Sequence, residues 1–322
     1  VKIGCYHIDS GESFDRFADA QDLADTYRAS GVPAFPAYVS GEYRVRIEHY
    51  SSGEYAASGI ASLSLSGASV VSPSGTCITV VSTATGEILF EFDCGTSSNL
   101  AVMPSRGEVD RPLTWFKGYK YCGGFEYKRF NGNNVTVINF VGMQDYVKGV
   151  IPYEMNPSWP VEALKAQALC AKTYAVSNLN KYASYGFDVN ATVDCQVYRG
   201  ANTATANSDR AVDETDGQFI TYNGAYISAV YHSSNGGSTE SAVNVWGRDY
   251  AYLRAVTDNF EDLTKASYGT WKFELTKSQL RQILVEKGYS PATVTDAYIE
   301  EYTPAGNVYK LRSEEHTSEL QS

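Results

Sequence analysis

Apolar residues recur at helical spacing in several stretches of the chain. Phe14, Phe17, Ala18, Leu23, Ala24 and Tyr27 predict a helix closed by Gly31. Residues 54–65 predict a short alanine-rich helix, and residues 160–180 a longer one lined by Ala163, Ala166, Ala168, Ala171 and Ala175. Pro160 stands near the start of that long helix and Glu162 falls in its positive first turn. A polar helix is expected near 207–215. A last one, over 277–287, opens at Thr276 as cap and ends at Gly288.

Alternating patterns predict strands over 1–6, 34–38 and 43–50. From Thr76 the texture turns to β, with 77–81 and 87–94 flanking a turn at Thr85-Gly86. Residues 98–112 read as an irregular connector. Strands over 125–130 and 135–140 join through a turn around Gly132, and Asn223-Gly224 turns into a strand over 225–231. Counting outward from the Thr85-Gly86 turn sets Cys77 opposite Cys94. A bulge of one residue would break that pairing, and cross-strand geometry often falls short of the approach a disulfide needs. The class is α+β: a small β-α-β-β-α-β domain over 1–72, then a larger, mixed, β-rich α+β domain over 73–311 with one long alanine-rich helix.

Glu154 is the carboxylate whose surroundings most invite chemistry. Val150, Ile151, Pro152 and Met155 flank it, and an apolar setting disfavours the ionised form, which suits an acid that donates a proton at neutral pH. The alternative is a structural carboxylate capping the next helix. The alanines of that helix leave room for another backbone or a sugar ring. Gln167 is a donor and acceptor suited to sugar hydroxyls, or to a buried bond with backbone. Tyr198 can stack on a sugar or simply pack. His232, Ser233 and Ser234 precede Gly236-Gly237, where hydroxyls and open backbone can meet a ligand. A Ser–His hydrolase would need a nucleophile elbow and an acidic partner, and neither is evident.

The run from Gly149 to Ala175 resembles the signature of the stage II sporulation protein D family, which includes amidase-enhancer proteins of bacterial cell walls. That signature reads Gly-Val-x-Pro-x-Glu-Met, a gap, an aromatic residue, then Glu-Ala-Leu-Lys-Ala-Gln-Ala and Ala-Arg-Thr-Tyr-Ala. Lys172 stands where the family usually has arginine, and the two are not equivalent where a planar fork is needed. Gln196-Val197-Tyr198-Arg199-Gly200, and Tyr231-His232-Ser233 with Gly236-Gly237 before Trp246-Gly247, resemble further motifs of the family. The resemblance spans roughly 75–311. It implies lytic transglycosylation of peptidoglycan, in which the C6 hydroxyl of muramic acid closes a 1,6-anhydro ring. The substrate supplies the nucleophile at high effective molarity, so one acid suffices where glycoside hydrolysis normally uses two. Glu154 is then that acid and Lys172 a positive charge near it; Gln167, Tyr198, His232, Ser233 and Ser234 are further candidate substrate contacts. Some members bind zinc through a histidine and cysteines after the long helix. Here Cys195 is present but no histidine lies between His49 and His232, so neither metal nor cofactor is expected.

Residues 1 to about 70, with Phe35-x-x-Tyr38 and Tyr43-x-Val45-x-Ile47, resemble the sporulation-related repeat domain, which implies binding of peptide-free glycan strands. A packing domain without ligand is the alternative. The expected partners are peptidoglycan glycan strands and, in a rival reading, a cell-wall amidase that a non-catalytic chain stimulates.

Composition narrows the classes. A net charge of −11 over 322 residues argues against nucleic acid and against electrostatic adhesion to anionic lipid. The 25 tyrosines and 4 tryptophans suit a carbohydrate, on which amphipathic rings stack. No run approaches the ~18 apolar residues of a membrane span. The absence of a starting methionine and of a secretory signal gives the expectation of a fragment or mature form of a bacterial cell-envelope protein. Residues 312–322 resemble an in-frame translation of a sequencing adapter, so the natural chain is expected to end near Leu311 and the tail to pack against nothing.

Overall fold

The computed structural model describes residues 4–105, 111–129, 134–261 and 271–316; the turn expected around Gly132 and the start of the strand expected over 1–6 lie outside them. Two compact units are present, Val1–Ile220 and Thr221–Ser322.

The first unit opens with β1 (Tyr6–Phe14), α1 (Phe17–Ala29), β2 (Ala34–Val39), β3 (Glu42–Tyr50), α2 (Gly53–Ser62) and β4 (Ser69–Val71), in the expected order. Strand β1 lies later than its predicted place. Its buried positions are His7, Ile8, Asp9 and Ser10, three of them polar, and hydropathy does not mark such a strand. Their partners explain why burial is tolerated. His7 Nδ1 donates to the Glu48 carbonyl at 2.6 Å, Arg44 Nη2 reaches Asp9 at 2.9 Å, and Arg46 Nη1 reaches Glu91 at 3.0 Å. Both helices pack on a core of Ile8, Ala20, Ala24, Ala34, Val45, Ile47 and Ala56.

Two later strands, β5 (Ile78–Val81) and β6 (Ile88–Asp93), complete the sheet, with β6 parallel to β2, in the order β4-β1-β3-β2-β6-β5. Residues 78–93 thus extend this sheet beyond residue 72. Pairing runs Ile78↔Phe92 with an irregularity between Val80 and Val81. The register is therefore one residue away from the predicted one, and continuing it sets Cys77 against Asp93. Cys94 Sγ instead faces the Tyr38 carbonyl at 4.0 Å, and among the described residues all six cysteines are free thiols.

Next come β7 (Leu100–Val102), β8 (Leu113–Phe116), β9 (Tyr119–Cys122), β10 (Gly124–Arg129) and β11 (Val135–Phe140). They form a three-stranded sheet β11-β10-β7 and a β8-β9 hairpin. The hairpin turns through Lys117 and Gly118 at φ 48° and 86°, the left-handed pair of a primed turn. A lysine is an unusual first residue there, so the sequence gives little sign of it. Three helices follow: α3 (Met143–Glu154), α4 (Val161–Ser177) and α5 (Ala206–Asp213). Helix α4 is the predicted alanine helix. Helix α5 is the predicted polar one, capped by Thr205 in a reciprocal box with Ser208.

The second unit holds β12 (Thr221–Tyr222), β13 (Ala225–Tyr226), α6 (Ala242–Trp246), α7 (Lys277–Glu286), β14 (Thr293–Tyr302) and β15 (Val308–His316). The Asn223-Gly224 turn forms as expected, at φ 50° and 80°, but its second strand ends at Tyr226. Thr276 caps α7 as expected, in a box with Gln279. Residues 312–316 do not stay unpacked: Arg312 pairs with Tyr298 and Glu315 with Val294 in the β14-β15 ladder. Backbone pairing needs no apolar side chain, so the polar composition of that stretch misled. Among the described residues no helix is long and apolar enough to cross a membrane.

Candidate active site

Helix α3 carries Tyr146, Val147, Val150 and Ile151 as a buried stripe. Glu154 continues the Val147–Ile151 row by one turn, as the last residue of the helix and half-buried. Helix α4 lies against this stripe through Leu164, Ala168, Ala171 and Ala175, and α5 closes the cluster with Ala211 and Val212. Methyl-sized side chains let the backbones approach closely. Burying Leu164 alone contributes roughly 2–3 kcal/mol. The carboxylate therefore stands where a packed apolar row reaches its end.

The loop after Glu154 is pinned. Ser158 N–H donates to Asn156 Oδ1 at 2.9 Å, and Asn207 Nδ2 on α5 donates to the Pro157 and Trp159 carbonyls at 3.1 and 3.0 Å. Trp159 is half exposed on this loop.

The segment Gln196-Val197-Tyr198 fixes the carboxylate from the other side. Gln196 is buried; its Oε1 accepts from the Tyr146 hydroxyl at 3.0 Å and its Nε2 donates to the Ala171 carbonyl at 3.3 Å. It thereby ties α3 to α4. Tyr198 is buried too, its ring 4.9 Å from Tyr146 and 5.5 Å from Tyr121, its hydroxyl donating to Asn139 Oδ1 at 2.6 Å. Burial pushes this phenol's pKa up. With both neighbours turned inward, Val197 presents its N–H to Glu154 Oε1 at 2.7 Å. Oε2 accepts no hydrogen bond among the described residues. Gly149 makes the arrangement possible: a Cβ there would lie 2.4 Å from Tyr198 Cε2.

Glu154 does not cap α4, whose N-cap is Pro160 without any side-chain cap bond. The capping alternative is therefore removed. Lys172, expected to offer its charge near a substrate, is only 1% exposed. Its ammonium donates to the Thr215 hydroxyl at 2.8 Å, to the Val212 carbonyl at 3.4 Å and to the Thr215 carbonyl. It closes the C-terminal end of α5, where helix carbonyls favour a cation, and burial lowers its pKa. Lys172 is a fold anchor, which corrects its placement among substrate contacts. Tyr198 likewise packs and does not offer a ring face to a sugar. Arg199 is exposed, its guanidinium 5.9 Å from the ring centroid of Tyr153, the residue before Glu154.

Gln167 is half-buried, and its Nε2 is a buried donor without a partner among the described residues, so the alternative of a buried bond to backbone is not made by that atom. His232, Ser233 and Ser234 belong to the second unit. His232 and Ser233 are exposed, while the Ser234 hydroxyl donates to Glu261 Oε1, beside Asn235 and Gly236 N–H groups at 2.9 and 3.1 Å from Oε2. Cys195 neighbours the Lys181 ammonium at 3.5 Å. A lone thiol beside a cation is a poor zinc donor set, and the described residues hold no group of three metal-ligating side chains. Val197 and Gln196 escaped notice in their present roles because a backbone N–H and an inward amide leave no compositional trace.

A family model described as Stage II sporulation protein matches residues 131–222, which contain Glu154, Lys172 and the 196–198 segment. Over that stretch the chain is similar to stage II sporulation proteins. It is 41% identical over 140 residues to an uncharacterised protein of Brachyspira hyodysenteriae, covering 43% of this chain and 38% of that one. It is 39% identical over 156 residues to the amidase enhancer of Bacillus subtilis, 47% of this chain and 20% of that protein. Against the stage II sporulation protein D of Bacillus subtilis it is 32% identical over 161 residues, 45% and 47% of the two chains. The chain spans less than half the length of these relatives.

Proposed function

We propose that this chain acts at the bacterial cell envelope and cleaves the glycan strands of peptidoglycan by lytic transglycosylation, with Glu154 as the acid and then the base. The observation that carries this reading is the state of that carboxylate. It ends a buried apolar row, one oxygen is held by the Val197 N–H at 2.7 Å, and the other takes no hydrogen bond among the described residues. A group positioned on one oxygen and open on the other is suited to proton transfer.

In the proposed step the Glu154 carboxyl gives its proton to the glycosidic oxygen as the bond from C1 to that oxygen breaks. The C6 hydroxyl oxygen of the same muramyl ring bonds to C1, and its proton returns to Glu154. No water is consumed, and one carboxylate serves both halves. Arg199 on the Tyr153 face supplies positive charge that suits the carboxylate-bearing sugar. Gln167, half-buried on α4, is a further proposed sugar contact.

A second reading, a non-catalytic chain that stimulates a wall amidase, draws on the 39% identity to an amidase enhancer. Purified chain incubated with glycan strands and no amidase separates the two. Anhydromuramyl ends, one water lighter than hydrolysis products, are expected from catalysis. Intact strands, with faster peptide release only when an amidase is added, would support the enhancer.

A further inference from the structure

On the N-terminal sheet β1, β3, β5 and β6 bring His7, Arg46, Thr79 and Glu91 together. His7, only 2% exposed, stands at the centre of this cluster. Its ring is held from three sides. Nδ1 donates to the Glu48 carbonyl at 2.6 Å, the Phe35 ring meets it edge to face at 5.2 Å, and Glu91 Oε1 lies 3.4 Å from Nε2. Glu48 presents that carbonyl from φ 55°, a left-handed conformation uncommon for glutamate, and its own N–H donates to the Pro33 carbonyl at 2.8 Å. With the Nδ1 proton turned to Glu48, the lone pair of a neutral ring lies on Nε2. The Cys5 sulfur stands 3.6 Å from that nitrogen, within hydrogen-bond reach for sulfur.

The carboxylate is anchored in turn. Arg46 Nη1 reaches Glu91 Oε2 at 3.0 Å, and the Thr79 hydroxyl donates to Oε1 at 3.0 Å. Burial by itself would push Glu91 up, yet His7, Arg46 and Thr79 together hold it below its ordinary value, so a negative charge faces Nε2. A proton passed from the Cys5 sulfur to Nε2 leaves a cationic ring between a thiolate and a carboxylate, and both attract it. A sulfur within reach of a base, with the base oriented by further groups, is the arrangement of an activated nucleophile. Cys77 gives the contrast. It also neighbours Glu91, but burial together with that charge pushes its thiol up to about 12, and it stays protonated. Cys5 is half-buried one residue before β1, open to a small molecule.

We propose that Cys5, with His7 as its base, exchanges with a small disulfide such as cystine. The Cys5 sulfur gives its proton to His7 Nε2 and bonds to one sulfur of cystine. The S–S bond of cystine breaks, and the departing cysteine thiolate takes the proton from His7. One disulfide is consumed and one mixed disulfide forms, so no other oxidant is needed. The test mixes the full reduced chain, freed of reductant, with cystine and follows each cysteine by quenching and peptide mass mapping. An ordinary thiol of pKa ~8.5 is about 3% ionised at pH 7; full ionisation, partly offset by weaker nucleophilicity, leaves a gain on the order of tenfold. Cys5 is therefore expected to react about tenfold faster than Cys94, also half-buried and facing the Tyr38 carbonyl, with Cys77 slowest. Between pH 7 and 6 an ordinary thiol slows about tenfold, whereas Cys5 is expected to slow less than about threefold. His7→Gln is expected to bring Cys5 down to the Cys94 rate, with a thermal melt showing that the variant folds. A Cys5 no faster than Cys94, or one that slows tenfold between pH 7 and 6, overturns the proposal whatever the variant does. So does a folded His7→Gln chain whose Cys5 reacts at the parental rate.

Discussion

The helices around Glu154 bury Val147, Val150, Ile151, Leu164, Ala168 and Ala171 completely, whereas residues 221–316 leave Phe260 97%, Trp271 84% and Phe273 70% exposed. Among the described residues, the buried apolar side chains of the second region are small, Ala229, Ala242 and Val294. Carboxylates do the joining there. Glu240 accepts from Thr303 Oγ1 at 2.6 Å, Asn307 Nδ2 at 2.9 Å, Asn244 Nδ2 at 2.8 Å and the Ser241 N–H at 2.8 Å. Asp258 accepts from Asn235 Nδ2 at 2.7 Å and the Phe260 N–H at 2.8 Å. One region is thus cohesive through desolvation, the other through charge-assisted hydrogen bonds near water. The first should therefore answer to lost volume and the second to lost charge.

The largest contrast is in volume. Leu164→Ala is expected to cost about 3–4 kcal/mol in urea unfolding, while Trp271→Ala stays within about 0.5 kcal/mol. Similar losses from both would abolish the distinction. Lys172→Met is expected to cost about 2–3 kcal/mol, because the Thr215 and Val212 acceptors lose their buried donor. Substrate KM should not move with it; a raised KM at unchanged stability would return Lys172 to the substrate. Gly149→Ala gains about 1 kcal/mol of helix propensity but drives a methyl into Tyr198. A net loss of about 1–2 kcal/mol is expected, and a stabilised variant would contradict the packing described.

Acid supplies the finest probe. Hydrogen bonds from Asn307 and Thr303 hold Glu240 down to about 2, and those from Asn235 and from Ser234 hold Asp258 and Glu261 below their ordinary values. A carboxylate depressed in the fold contributes stability above its unfolded pKa and loses it as pH falls through the folded value. The 234–241 and 303–307 segments should therefore loosen between about pH 4.5 and 2, ahead of the three-helix core. Brief pepsin digestion with mass mapping reads this directly. Glu240→Gln should open the same segments already at pH 5. Cleavage that begins in α3 or α4 would reverse the comparison.

The same contrast governs what was legible in the sequence. Helix α4 and the caps of α5 and α7 could be read because periodicity and capping residues are local. Glu154 could be singled out from its apolar neighbours, but the Val197 N–H that fixes it lies 43 positions away. Lys172 was visible as a cation and invisible as a helix anchor, since Thr215 signals nothing by itself. Strand β1 hid behind buried polar residues whose partners sit on β3 and β6. The β14-β15 hairpin was lost because its second strand is polar on a surface where backbone pairing decides.

Glu154 is proposed to transfer the proton. Purified glycan strands digested by the parent chain and by Glu154→Gln, with anhydromuramyl ends counted by mass spectrometry, test it most directly. The amide oxygen can still accept from Val197, so melting temperature and glycan binding should hold. A rate lower by ~10²–10⁴-fold is expected. A rate within a few-fold of the parent would contradict it.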